Sequence, residues 1–394
     1  MIQKIKELSG AYLEDIIQIR RHLHAHPELS TEETETMKYI SAQLKEFGIE
    51  HETGIFQTGI LGIIRGKNPD SKVIALRADI DALPIQEKNE IDYKSKNEGV
   101  MHACGHDVHT GSLLGTARIL QEMKDDFEGT VKLIFQPAEE KIPGGAKFMI
   151  QEGVLENPRV ENIIGQHVFP EMEAGKVGFK TGKYMASTDE INLLVKGKGG
   201  HAAMPNQLID PVLIASHIIV ALQQVVSRNA DYTIPTVLSF GEFKAEGTYN
   251  VVPDEVRIKG TFRTFDESWR KKAHNRISKI AQNIAEAMGG ICEVFINQGY
   301  PFVVNHEEMT KKAITHAREY LGEENVVDLN LRMTGEDFAY FSQEIPGCFY
   351  RLGVANDAKG ITSNLHTPTF NVDEKSLQTG MGLMAWLAIR ELSK

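Results

Sequence analysis

Three apolar runs in this chain end in residues able to bind metal: 72–82 (KVIALRADIDA) in Asp79 and Asp81, 130–140 (TVKLIFQPAEE) in Glu139 and Glu140, and 162–168 (NIIGQHV) in His167. Runs of this kind alternate with helix-length stretches at 2–23 and 32–47. The combination predicts an α/β sheet covered by helices on both faces. Such sheets bind ligands at the carboxyl ends of their strands, so the pattern also predicts where the chemistry would sit.

From Gly182 the rhythm changes to strand (EINLLVKG), helix (210–226), strand (TVLSFGEFK), strand (EVRIKGTFRTF), helix (269–288) and strand (ICEVFINQG). That order is the split βαβ, ferredoxin-like unit. It predicts an inserted α+β domain at 182–301 and a discontinuous α/β domain formed by 1–181 and 302–394, whose closing helix, 373–392, returns to the first sheet. The 394 residues are enough for two cores. A net charge of -11 works against a broad phosphate-binding surface and so against nucleic acid as a partner. No run approaches the ~18 apolar residues of a membrane span, and the amphipathic N-terminus lacks the apolar core of a signal peptide. Cys104, Cys292 and Cys348 are odd in number and far apart, which fits a reducing compartment. The expectation is a cytoplasmic protein with no membrane partner.

The densest chemistry lies in 101–109 (MHACGHDVH), where His102, Cys104, His106, Asp107 and His109 precede a helix predicted at 112–123. Thiolate and imidazole are the ligands that borderline divalent ions prefer, although a polar loop with incidental histidines reads the same way. Glu139 and Glu140 follow Val131, Leu133 and Phe135, which read as buried. Burying adjacent carboxylates is costly unless a cation or a shared proton compensates. With a metal present, one carboxylate can bind it while its neighbour takes a proton from water, and spacing alone does not say which. A solvated acidic turn is the plain alternative. Taken singly, His167 and His366 (in NLHTP) read as structural histidines and gain weight only within a ligand set. The segment 197–202 (GKGGHA) loosely matches a dinucleotide fingerprint, but Pro205 interrupts the helix it would need. No G-x-S-x-G elbow or Walker loop is present.

Together these motifs resemble, over essentially the whole chain, the family of dinuclear metallo-aminoacylases and carboxypeptidases. The likeness is to the branch holding hippurate hydrolases, N-acetyldiaminopimelate deacetylases and plant hydrolases of indole-acetyl amino acid conjugates. It starts at 21–28 (RHLHAHPE) and runs through 76–84 (LRADIDALP), the Cys104/His106 cluster, 136–140 (QPAEE) and 199–205 (GGHAAMP). It continues at 250–253 (NVVP), 260–263 (GTFR) and 335–338 (GEDF) and ends at 365–368 (LHTP).

The resemblance implies two divalent ions per subunit, held by Cys104, His106, Glu140, His167 and His366, with Glu139 as the general base and Asp81 orienting a ligand histidine. The wider family places a histidine and a bridging aspartate among its ligands, whereas this sequence has Asp79 where the histidine would fall and a cysteine in the ligand loop, as its branch does. Manganese or zinc is implied, with cobalt and nickel also admitted by the donors. The inserted domain resembles the family's lid and dimerisation domain, which implies a homodimer. In it His201 would stabilise the oxyanion from the partner subunit, while Asn250 and Arg263 would grip the substrate carboxylate. The implied reaction is hydrolysis of the amide of an N-acyl amino acid. A dipeptidase or carboxypeptidase using the same site is the alternative, and a catalytically silent relative is a further one.

Overall fold

Among residues 1–393, which the computed structural model describes, the longest sheet has eight strands. In spatial order these are Glu50–Ile55, Gly59–Arg65, Thr130–Gln136, Val73–Asp79, Asn162–Glu173, Gly347–Ala355, Val177–Phe179 and Val326–Asp328. The third to sixth run parallel to one another; the first three strands pair antiparallel, as do the sixth and seventh, and the last pair, Val177–Phe179 with Val326–Asp328, is parallel. Every residue of Val73–Asp79 and Thr130–Gln136 is buried, as a parallel strand covered on both faces requires. The burial extends to Lys132, whose Nζ donates to the carbonyls of Val154 (3.0 Å), Glu156 (2.6 Å) and Pro158 (3.1 Å). Burial pushes its ammonium down to about 8.

Contacts divide the chain into two compact units. The first comprises Met1–Tyr184, Val304–Leu331 and the chain from Asp337 onward. In it the helices Ile2–Ala25, His106–Glu122 and Ser376–Leu392 pack on one another and on the sheet. Leu113, Leu114, Ile119 and Leu120 are fully buried in this core, each contributing roughly 1.5–3 kcal/mol relative to exposure. Sequence reasoning missed the hairpin of Glu50–Ile55 and Gly59–Arg65 and did not single out Gly347–Ala355. The latter (GCFYRLGVA) is buried throughout, and so short an apolar run has no periodicity to separate strand from helix.

The second unit comprises Met185–Val303 with Arg332–Glu336, which is tied in by the Met185–Arg332 bridge and by Ala186 N–H donating to Arg332 O (3.0 Å). Its four-stranded antiparallel sheet has the spatial order Thr236–Ala245, Glu255–Thr264, Asp189–Lys196, Ile291–Gln298. With the helices Pro211–Gln224 and Glu267–Ala287, this is the strand-helix-strand-strand-helix-strand order of a split βαβ unit. Asp210 Oδ1 accepts from the amides of Val212 (2.8 Å) and Leu213 (3.2 Å), and Asp266 Oδ1 accepts from Trp269 N (2.7 Å), so both helices begin on acidic caps. Pro211–Asn229 is long and apolar enough, by length and composition alone, to cross a membrane. One face of it, with Ile214, Ile218, Leu222 and Val225, is buried in this unit's core.

Candidate metal centre

The loop bearing Cys104 reaches the sheet because of one glycine. Gly105 has φ +83°, and a Cβ there would lie 2.5 Å from Val168 Cγ2, so only glycine lets the loop lie against the strand Asn162–Glu173. The following helix starts at His106, not at residue 112 as the sequence suggested, which puts His106 and His109 in its first turn. The segment reads as a polar loop, but Asp107 and His109 find buried partners in Arg20 and Asp79, which lets the helix start inside it. Two backbone ties hold the neighbouring pieces: Met101 pairs with Leu83, and His366 N–H donates to Ala103 O at 2.8 Å.

The donors converge in overlapping groups whose candidate ligand atoms lie within 4.8 Å of one another: Cys104, His106 and His167; His106, Glu139 and Glu140; Cys104, Glu140 and His366. Cys104 Sγ is 3.5 Å from His167 Nε2 and 3.4 Å from His366 Nε2. Glu140 Oε1 is 3.2 Å from His366 Nε2 and 4.0 Å from His106 Nε2. The ring orientations suit ligation. His106 Nδ1 is bonded to Asp81 O (2.9 Å) and Oδ1 (3.1 Å), and His167 Nδ1 to Val168 O (2.8 Å), so each presents Nε2 to the centre. Among the described residues, His106 Nε2 and Glu140 Oε1 are buried with no hydrogen-bond partner.

The electrostatics favour a cation here. Burial alone would lower His106, but Asp79, Asp81 and Glu140 outweigh it and raise the imidazole to about 10. Burial, then Glu140, Glu139 and Asp79, push the Cys104 thiol well up. Burial and the Arg351 guanidinium hold His167 well below the usual imidazole range, in the neutral form that ligates. The carboxylates thus draw positive charge to a place where the thiol cannot ionise unaided.

Two members of the 101–109 cluster, Asp107 and His109, bond to other partners, and a third, His102, stands apart from the donor groups. Asp107 Oδ2 accepts from Arg20 Nε (2.7 Å) and pairs with His24 Nδ1 (2.8 Å). His102 is buried and joins none of these groups. His109 belongs geometrically to a fourth group with Asp79 and His106, but both its nitrogens are committed: Nδ1 to Asp79 Oδ1 (2.5 Å), and Nε2 as acceptor for Val168 N–H (2.8 Å). Sequence reasoning also missed Glu33 and Ser30, bonded to Ala138 N and Asp81 respectively, and Arg77, Gln136 and Asp337, which bond together beneath Asp79. No local pattern announces such partners.

In the second unit, His201 and Asn250 are neighbours. Gly200–His201 pairs with Val251–Val252, and Ala202 N–H donates to Asn250 O at 3.0 Å. Both side chains are exposed. Arg263, on the strand Glu255–Thr264, is half-buried and donates from Nε to Thr261 Oγ1 (3.0 Å).

Buried Cys104, His106 and His167, with part-buried Glu140 and exposed His366, gathered beside the ends of parallel strands define a class, the metal-dependent hydrolases with a two-ion centre. Comparison with known proteins narrows it: residues 75–390 match the profile of peptidase family M20/M25/M40, and the chain belongs to that family. It is 41% identical over 362 residues to an N-acetyl-L-cysteine deacetylase of Bacillus subtilis, covering 92% of this chain and 84% of that one. It is 38% identical over 397 residues to thermostable carboxypeptidase 2 of Saccharolobus solfataricus, covering 100% of each. A dinuclear metal-binding M20 peptidase of Bacillus subtilis shares the fold at a TM-score of 0.83 and 37% identity, over 97% of this chain and 99% of that one.

Proposed function

We propose that this chain hydrolyses the amide bond of N-acyl amino acids, releasing a carboxylic acid and an amino acid. Cys104, His106, Glu140, His167 and His366 hold the two divalent ions. The observation that carries this reading is the convergence of five donors in overlapping groups where His106 Nε2 is buried without a hydrogen-bond partner. Such an orphaned group costs about 1–3 kcal/mol, and a cation satisfies it. When bound, the ions polarise the amide carbonyl and lower the pKa of water. Glu139, 6% exposed beside Glu140, takes the proton from water and passes it to the leaving nitrogen. Asp81 fixes the His106 ring through Nδ1. The mixed donor set suits manganese or zinc, and also cobalt or nickel.

In the second unit, the Ala203 amide donates to His201 Nδ1 (3.1 Å), so the neutral ring carries its proton on Nε2. That makes His201 a donor for the oxyanion formed on the amide carbonyl. Asn250 and Arg263 bind the carboxylate of the amino acid, the guanidinium fork matching two oxygens. The unit serves as a lid and as the dimerisation surface of a homodimer. Leu213 and Val220, 51% and 73% exposed on one helix, and Phe243 on an edge strand offer apolar surface to a second copy. Three free cysteines fit a cytoplasmic setting.

The full-length likeness to a carboxypeptidase keeps a second reading, hydrolysis of dipeptides at the same ions. Parallel assays on N-acetyl amino acids, hippurate and dipeptides, with and without chelator, decide between them. N-acyl amino acids should be cleaved fastest and chelation should abolish turnover. Faster dipeptide cleavage would favour the carboxypeptidase reading, and no cleavage with both ions bound would mark a silent relative.

A further inference from the structure

Glu139 and Glu140 sit in a turn that needs holding. Where the strand Thr130–Gln136 ends, Ala138 adopts φ +55°, the left-handed region that residues with a Cβ avoid. Two carboxylates from elsewhere in the first unit grip alternate amides of this turn. Ala138 N–H donates to Glu33 Oε1 (2.9 Å), and Glu140 N–H donates to Asp81 Oδ2 (2.9 Å), leaving Glu139 between the clamps.

Glu33 is fully buried, and its second oxygen accepts from Thr58 Oγ1 (2.7 Å). It stands at the N-cap of the helix Thr34–Glu46, yet its side chain makes no capping bond. Glu28 does that work, accepting from the amides of Glu35 (3.2 Å) and Thr36 (2.8 Å). A buried carboxylate released from capping and bonded to the one left-handed residue before the Glu-Glu pair has a different task. Ser30, three residues earlier, bonds to Asp81 Oδ2 (2.6 Å), so one short N-terminal segment supports both clamps.

We propose that Glu33 is a positioning residue for the hydrolytic reaction: it holds Ala138 in the left-handed conformation and thereby aims Glu139 at the donor cluster. The proposal rests on the reading of Glu139 as the base. Glu33 acts through the Ala138 amide and does not touch substrate.

The test uses the full chain loaded with manganese and compares Glu33→Ala, Glu33→Gln, Ala138→Gly and the double variant Glu33→Ala/Ala138→Gly, with Glu139→Gln as a control. For each, kcat, KM, bound metal per chain and melting temperature are measured. Glu33→Ala should lose roughly 100-fold in kcat, the scale of an ångström's misplacement, with KM changed less than about 3-fold and two ions retained. Glu33→Gln, whose amide oxygen can accept the same N–H, should stay within about 3-fold of wild type. Ala138→Gly alone should be near wild type, and in the double variant it should restore about 10-fold, because glycine adopts positive φ unaided.

A Glu33→Ala protein that melts earlier but keeps wild-type kcat per metal-loaded chain would reduce Glu33 to a structural staple and overturn the proposal. So would a double variant no better than Glu33→Ala. Should Glu33→Ala not fold, Glu33→Asp, one methylene shorter, carries the same comparison with and without Ala138→Gly. If Glu139→Gln keeps its turnover, the base assignment fails whatever Glu33 does. If Glu139→Gln is inactive and Glu33→Ala is not impaired, the positioning proposal alone fails.

Discussion

The two units treat their reactive groups in opposite ways. In the first, Cys104, His106 and His167 are at most 6% exposed, both of these histidine rings are fixed through Nδ1, and only His366 of the proposed ligands is exposed. In the second, His201 and Asn250 stand exposed on a ladder of two residues per strand. A buried set of like-signed carboxylates is stable only if cations or hydrogen bonds compensate it, so its geometry is dictated in advance. An exposed histidine on a short ladder needs no compensation, and its contribution depends on what it meets. The contrast is between groups that must be preorganised to exist where they are and groups that must reach.

The comparison is sharpened first at Glu139. On this account Glu139→Gln keeps both ions and loses at least ~100-fold in kcat, the scale of a lost general base. Metal analysis beside steady-state kinetics checks it. Loss of metal with retained turnover would mean that Glu139 and Glu140 have exchanged roles.

The next effect should come from His201, where His201→Ala is expected to cost about 100-fold in kcat, as removal of one oxyanion donor does. Because the proposed donor serves the partner subunit, inactive His201→Ala and Glu139→Gln chains refolded together should recover roughly a quarter of wild-type sites. One site of each mixed dimer then carries neither defect. Mixed dimers with no recovered activity would place His201 within its own subunit's chemistry or outside catalysis.

A smaller and different effect is expected at Asp189, in a deeply buried charge cluster of the second unit. Arg270 donates to it from Nη2 (2.6 Å) and Nε (2.9 Å), and His274 Nε2 lies 2.7 Å away. Burial raises the Asp189 carboxyl, but the bonds from His274 and Arg270 outweigh it and hold it below the usual value. A carboxyl depressed in the folded state contributes stability above its unfolded pKa of about 3.9, and that stability is lost as pH falls through the folded value. Asp189→Asn should cost about 3 kcal/mol at neutral pH and flatten the acid limb of unfolding. Trp269, buried in this unit, reports the transition once Trp386 of the first unit is replaced by Phe. An acid limb unchanged by the substitution would remove Asp189 from the account.

Much of the buried site could be read from the chain itself, for a physical reason. Strand-ending carboxylates and histidines follow long apolar runs, and the rule that α/β sheets bind ligands at strand ends brings them together. The division of labour between Glu139 and Glu140 came only from resemblance, since adjacent carboxylates are chemically equivalent in a sequence. His366 carries no local signal, because its position depends on a backbone bond to Ala103 and on a left-handed φ of +59°. Glu33 and the Arg77–Asp337 pair were invisible because their partners are distant in sequence, 105 and 260 residues away. His109 shows the opposite error: the segment's composition offers it as a ligand, and the hydrogen bonds to Asp79 and Val168 withdraw it.

The central claim is that five donors hold two ions while Glu139 and His109 hold none. The most direct test is an anomalous-scattering map from crystals of the manganese- or zinc-loaded protein, read beside the metal content of the same preparation. The account predicts two peaks per chain, bonded only to Cys104, His106, Glu140, His167 and His366 among the protein side chains, with zinc distances of about 2.0–2.3 Å. A single ion, or one ligated by Asp79 and His109, would contradict it.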